Sequence, residues 1–127
     1  MSVNPRRKTH GHADRRALLT SHAVGDGLGC TLTAAQFKTA TGVTDNLVPA
    51  LYPVSVAANG MAVPFTVADQ ATAPFSGFTV NPVDVTHGDD SDAYIWHGAI
   101  DASLLPVEFD PTAVTGGNIG HFVFGSA

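Results

Sequence analysis

Val54-Ser55-Val56-Ala57-Ala58-Asn59-Gly60-Met61-Ala62-Val63-Pro64-Phe65-Thr66-Val67 is the stretch on which the fold class turns. Val54 and Val56 alternate with Ser55, the period of a half-buried strand, and a second apolar run follows from Ala62 to Val67. Asn59-Gly60 lies between the two runs. Asn-Gly flanked by β-branched residues is the strongest short-range hairpin signal, because both residues tolerate the backbone of a tight turn. Composition extends this reading to the whole chain. Val, Ile and Thr total 30 of 127 residues, and Gly plus Pro total 21, whereas there are only one Glu, two Gln and two Lys. Helices need those long polar residues on their wet faces, and short strands punctuated by Gly and Pro do not. The expected fold is mainly β: a small barrel-like or sandwich body of short strands, with one short helix and an extended N-terminal arm.

Working outward, Thr33 to Ala40 is the one helix-like stretch, with Thr33 as its cap and Gly42 as its stop. Gly25, Gly27 and Gly29 read as a flexible elbow before it. The β body is expected to begin near Leu47. Phe78 to Thr86 is β-rich around Pro82, which points to an edge strand or a bulge. His87 to Asp92 reads as a polar turn, Ala93 to Ile100 as the strongest strand, and Leu104 to Phe109 as a further one. Residues 110–118 read as a loop. Ile119 to Phe124 closes the chain, with Phe122 and Phe124 on one face and Val123 on the other. The length fits one domain. We divide it into a flexible basic arm, residues 1–22, and a β-rich domain, residues 23–127.

Charge supports that division. The formal net charge is −5, but residues 1–16 hold Arg6, Arg7, Lys8, Arg15 and Arg16 against Asp14, a net of +4. The remainder holds Lys38 against ten carboxylates, a net of −9. The basic segment is either a solvated tail or an arm that docks on an acidic partner. Nucleic acid is the weaker partner, since the arm lacks aromatic residues for base stacking and the acidic body repels phosphates. No apolar run is long enough to span a membrane, and no secretory signal follows the basic start.

Motifs for chemistry are sparse. His10 and His12 flank Gly11, while His22, His87, His97 and His121 lie on separate segments without zinc-like spacing. No metal site and no cofactor is therefore expected, and His97 reads as a hydrogen-bonded structural imidazole. Asp89, Asp90 and Asp92 lack the ligand alternation of a calcium loop and read as a solvated turn. The lone cysteine, Cys30, reads as a small packed residue. Glu108 and Asp110 are too weakly placed to be assigned as a general acid–base pair. No catalytic residue is assigned, and a non-enzymatic protein is expected.

One ordered pattern runs through the C-terminal half. Tyr94-Ile95-Trp96 leads into His97-Gly98-Ala99-Ile100; a short polar link reaches Leu104-Leu105-Pro106; a loop of about a dozen residues ends in Gly120-His121-Phe122-Val123-Phe124. Upstream, Leu47-Val48-Pro49-Ala50 and Tyr52-Pro53-Val54 precede the Asn59-Gly60 turn. This order resembles the head decoration proteins of tailed bacteriophages, the family of the lambda capsid protein D, over roughly residues 45–124. Leu51 stands where the family usually has Gly, and the N-terminal segment matches by position only.

The resemblance implies a structural role. Such proteins form homotrimers on the three-fold and quasi-three-fold sites of the expanded head. They bind the major capsid protein and stabilise the shell against the pressure of packaged DNA. It also implies a location on the outer capsid surface of the virion after synthesis in the host cytoplasm. The family's arms, disordered when free, order on the capsid, so the capsid-binding residues expected here are Arg6, Arg7, Lys8, Arg15 and Arg16. The alternatives are another virion β module, in a head fibre or tail, and a small ligand-binding barrel lined by His97, His121 and the Asp89–Asp92 turn.

Overall fold

The structure, a computed structural model, describes residues 15–19 and 27–125. It is mainly β with one short helix. Strands β1 (Leu28–Leu32), β3 (Pro53–Val56), β4 (Met61–Pro64), β5 (Gly77–Thr79) and β7 (Asp90–Ile95) close into a five-stranded barrel in the order β1-β4-β3-β5-β7. Strand β1 joins its two ends: it runs parallel to β4 (Thr31 opposite Met61) and antiparallel to β7 over five pairs, Leu28–Tyr94 to Leu32–Asp90. Two small sheets complete the body. Strand β2 (Leu47–Val48) pairs antiparallel with β6 (Val83–Asp84), and β8 (Gly98–Ile100) pairs parallel with β9 (Phe122–Phe124).

The hairpin forms where its sequence places it. Gly60 N–H donates to the Ala57 carbonyl and Ala57 N–H to the Met61 carbonyl, both at 2.9 Å, and Gly60 has φ of 86°. The connection is thus a three-residue loop whose glycine takes the left-handed position, rather than a two-residue Asn-Gly turn. The helix α1 (Ala34–Phe37) is a single turn within the expected stretch. Thr33 occupies the cap position but its side chain makes no cap bond. The Ala34 N–H is met instead by Asp89 Oδ1 at 2.8 Å, from 55 residues away.

Several sequence expectations need correction. The body begins before Leu47: Leu28–Leu32, taken as elbow and approach, is the central closing strand. Strand propensity is weak there, and pairing on both edges supplies what it lacks. The Phe78–Thr86 segment divides at Asn81-Pro82 into β5 and β6, which belong to different sheets. Asp90, Ser91 and Asp92 open β7 rather than lie in a turn. The Ala93–Ile100 run breaks after Ile95, and Gly98 resumes it with φ of 151°. Leu104–Phe109 is no strand; a 3-10 turn over Ala102–Leu104 leads into an irregular stretch.

Two apolar clusters hold the body together. One gathers Cys30, Leu32, Ala34, Phe37, Val48, Tyr52, Val54, Ala62, Val83 and Val85. The other is built around six of the seven phenylalanines: Phe65, Phe75, Phe78 and Phe122 are buried in it, and Phe109 and Phe124 pack against it. Phe75 sits 5.2–5.7 Å, centroid to centroid, from Phe65, Phe78, Phe109 and Phe122, mostly edge to face. That is the favoured geometry for aromatic quadrupoles. Neighbouring barrel residues serve different clusters, Ile95 the phenylalanines and Tyr94 the other, as strand alternation requires. As the C-terminal pattern anticipates, Phe122 is buried, Phe124 half-buried and Val123 exposed.

Candidate functional site

The described part of the basic segment, residues 15–19, was assigned by sequence to the arm. It is built into the body instead. Ala17 is 1% exposed within the phenylalanine cluster, and Leu18 forms an antiparallel bridge with Ile100. Leu19 N–H donates to the Ala99 carbonyl (2.9 Å) and Asp101 N–H to the Ala17 carbonyl (2.7 Å). This segment therefore adds to β8 on the edge that β9 does not use. An apolar Ala17-Leu18-Leu19 run after the three charged positions Asp14, Arg15 and Arg16 is the signal for it; its length, three residues, is too short for periodicity to register.

Arg15 fixes the start of this segment. Its Nε donates to the Val80 carbonyl (2.9 Å) and its Nη2 to Asn81 Oδ1 (2.8 Å). Asn81 is held in turn by Asp92, through N–H to Oδ2 and Nδ2 to Oδ1, both at 3.0 Å. The guanidinium fork thus ties the arm's root to the end of β5 and, through Asn81, to β7. Arg15 is half-buried in this role, whereas Arg16 is exposed on the adjoining turn. Arg6, Arg7 and Lys8, the other expected capsid-binding residues, lie outside the described residues.

The acidic residues are dispersed among local structural tasks. Asp89 caps α1, Asp90 accepts from Ser91 N–H (2.8 Å), and Asp92 orients Asn81. The Asp89–Asp92 group, read as a solvated turn, is better described as three separate acceptors, and the distant partners of Asp89 and Asp92 were not legible from spacing. Asp101 accepts from the Ser103 N–H (3.1 Å) and hydroxyl (2.6 Å), starting the 3-10 turn there. Asp110 does the same for Thr112, at 3.0 and 2.7 Å, and these bonds hold its carboxyl below the ordinary carboxylate range.

Of the histidines, His87 is exposed in the loop before β7. His97 and His121 both pack on Trp96, with ring centroids 4.2 and 5.7 Å away. Trp96 is half-buried between them. Among the described residues, no three His, Cys, Asp or Glu gather as a metal set. Burial, and secondarily the charge of Asp92 opposite it in the ladder, pushes the Cys30 thiol up to about 11, so it stays protonated and unreactive at neutral pH.

An open cleft of about 510 Å³ lies between α1, the end of β4 and the irregular stretch after the Ala102–Leu104 turn. Tyr52, Pro53, Pro64, Phe65, Val107 and Phe109 form its apolar walls, and Asp69, Glu108 and Asp110 its charged ones. Neither His97 nor His121 lines it. The Tyr52 hydroxyl is engaged in a 2.5 Å bond to the Thr41 carbonyl, and Asp69 accepts from the Thr66 hydroxyl at 3.1 Å. The cleft therefore offers apolar surface beside three carboxyl side chains. No helix among the described residues is long and apolar enough to cross a membrane. The chain matches no protein-family model, and no curated protein is significantly similar to it.

Proposed function

We propose that this protein decorates a phage capsid. It binds as a homotrimer to the major capsid protein at three-fold and quasi-three-fold sites of the expanded head, and it acts by binding rather than by catalysis. The observation that carries this reading is the anchored root of the basic segment. A rigid barrel with few charges presents a positively charged chain from one defined point, Arg15, where that chain is tied into the β8 edge and to β5. The order of segments from Leu47 to Phe124 that resembles lambda-type decoration proteins supports it as well.

The energetics favour three copies over one. Ordering about 15 arm residues costs on the order of 15–30 kcal/mol of backbone entropy. Main-chain pairing along a capsid strand and charge-assisted bonds from Arg6, Arg7 and Arg16 to capsid carboxylates offset that cost. Three arms on one trimer make the second and third docking events intramolecular, which raises avidity by roughly 10²–10⁴. The test is co-sedimentation of the purified protein with expanded, decoration-free heads, together with its mass in solution. A species of three 13.1 kDa chains that saturates expanded heads and ignores unexpanded ones is expected. Failure to co-sediment, or attachment to tails alone, overturns the proposal.

A further inference from the structure

Asn59-Gly60 is the one place in the chain where glycine follows an asparagine. The pair forms the loop between β3 and β4, and Asn59 is exposed there. Asn59 Oδ1 accepts from the Met61 N–H at 3.0 Å, which turns the side-chain carbonyl back against the main chain just after Gly60. A donor in that position also stabilises negative charge that develops on the oxygen when its carbon is attacked. Asn59 Nδ2 bonds no described residue, so it is free to leave. Gly60 brings no side chain to screen its nitrogen, and where a Cβ would stand there is no atom beyond its chain neighbours within 4 Å.

The other asparagines lack these features. Asn4 and Asn81 precede prolines, whose nitrogen carries no hydrogen to give up. Asn46 precedes Leu47 and Asn118 precedes the β-branched Ile119, and both side chains crowd the following nitrogen. The amide groups of Asn81 and Asn118 are also held, by Asp92 Oδ1 and by the Ser76 carbonyl, each at 3.0 Å. Two bonds restrain Gly60 in turn. Its N–H donates to the Ala57 carbonyl and its carbonyl accepts from the Thr31 N–H, both at 2.9 Å. Opening both at an exposed loop tip slows chemistry there by about a hundredfold at most.

We infer that Asn59 is a site of spontaneous deamidation and that its isoaspartyl product loosens the barrel seam. The Gly60 nitrogen loses its proton to solvent base and attacks Asn59 Cγ. A C–N bond forms, the Cγ–Nδ2 bond breaks, and ammonia leaves with the proton returned by solvent. Water then opens the resulting succinimide ring. Opening at Cγ gives aspartate; opening at the main-chain carbonyl of position 59 gives isoaspartate, in which the chain runs through Cγ. Aspartate keeps the chain length and an acceptor for the Met61 N–H. Isoaspartate adds one main-chain carbon immediately before Gly60 and Met61, where β4 meets β1 through the Thr31 N–H and the Thr31–Met61 pair. The conversion needs water alone and no partner, so it holds whether or not the protein binds a capsid.

Ageing the full-length chain at mildly alkaline pH, beside a synthetic peptide of residues 54–67, tests both parts. Peptide mapping should find a mass gain of about 1 Da at Asn59, with both aspartyl and isoaspartyl products, and none at Asn46, Asn81 or Asn118. The rate should lie within about a hundredfold of the peptide's and should rise with pH. Asn59→Gln, whose longer side chain would have to close a six-membered ring, should stay unconverted over the same period. A second melting transition, several degrees below that of an Asn59→Asp variant, should grow in step with the isoaspartyl share. Conversion more than about a hundredfold slower than in the peptide, or a gain that maps to another asparagine, overturns the site. An aged sample that is rich in isoaspartate yet melts as Asn59→Asp does overturns the coupling to the seam.

Discussion

Phe75 touches four other phenylalanine rings and is 1% exposed, whereas Phe109, which touches four as well, is half-buried. Phe75→Ala should cost about 3–5 kcal/mol, the range for a large ring removed from a packed core. The strand pattern alone would assign a similar loss to Trp96. Trp96, however, is half-buried between two imidazoles after β7 has ended, so Trp96→Ala should cost less than Phe75→Ala in urea unfolding. Cys30 gives a second test. Its unfolded thiol ionises near 9.0 and its folded thiol near 11, so the folded state binds the proton more tightly. Its contribution is complete below pH 9 and is lost as pH rises toward 11. Burial shifts Tyr52 and Tyr94 in the same direction. The urea midpoint should fall from pH 8.5 to pH 10.5, and Cys30→Ala should make that fall shallower. The small packed role of Cys30 was legible from its isolation in sequence. The roles of Asp89 and Asp92 were not, because their partners lie 55 and 11 residues away and only the closed barrel brings them together.

Elements were legible in proportion to how locally they are determined. The β3–β4 hairpin, the single-turn helix and the alternation of Phe122, Val123 and Phe124 all follow from neighbouring residues, and all are present. Strand β1 is determined from outside by β4 and β7, so its one glycine, Gly29, reads in sequence as part of a loop. The glycines of the barrel consequently differ in kind. A Cβ on Gly77 would stand 1.9 Å from the Ile95 carbonyl oxygen, backbone that cannot move without parting β5 from β7. A Cβ on Gly29 would meet nothing within 4 Å. Gly77→Ala should destabilise by about 3 kcal/mol or more, and Gly29→Ala should be neutral or stabilising by up to about 1 kcal/mol. Thermal melts of the two variants side by side check this.

At the scale of the molecule, the body takes in residues 15–19 of the positively charged segment. Removing residues 2–14 should leave a folded protein with an unchanged far-ultraviolet spectrum. Extending the deletion through residue 19 strips Ala17 from the core and the Leu18–Ile100 bridge, and should lower the melting temperature by several degrees. Under the proposed function, the shorter deletion alone should abolish retention on expanded heads, which sedimentation can score separately from folding. The charge split and the β class were legible at this scale. The strand order was not, since period-two patterning identifies strands without saying which edges meet.

Barrel closure through β1 also dictates when the chain can fold. Leu28 leaves the ribosome 66 residues ahead of Tyr94, the partner it faces across the seam. At about 5–20 residues per second, the first-made strand waits several seconds for the last wall of its barrel. During that interval the nascent polypeptide comes to carry an unsealed sheet and Phe65, Phe75 and Phe78 with no finished interior to receive them. Acquisition of the native topology thus waits on β7, and slow translation of the stretch between β1 and β7 would prolong the period in which neighbouring nascent chains can stick to one another.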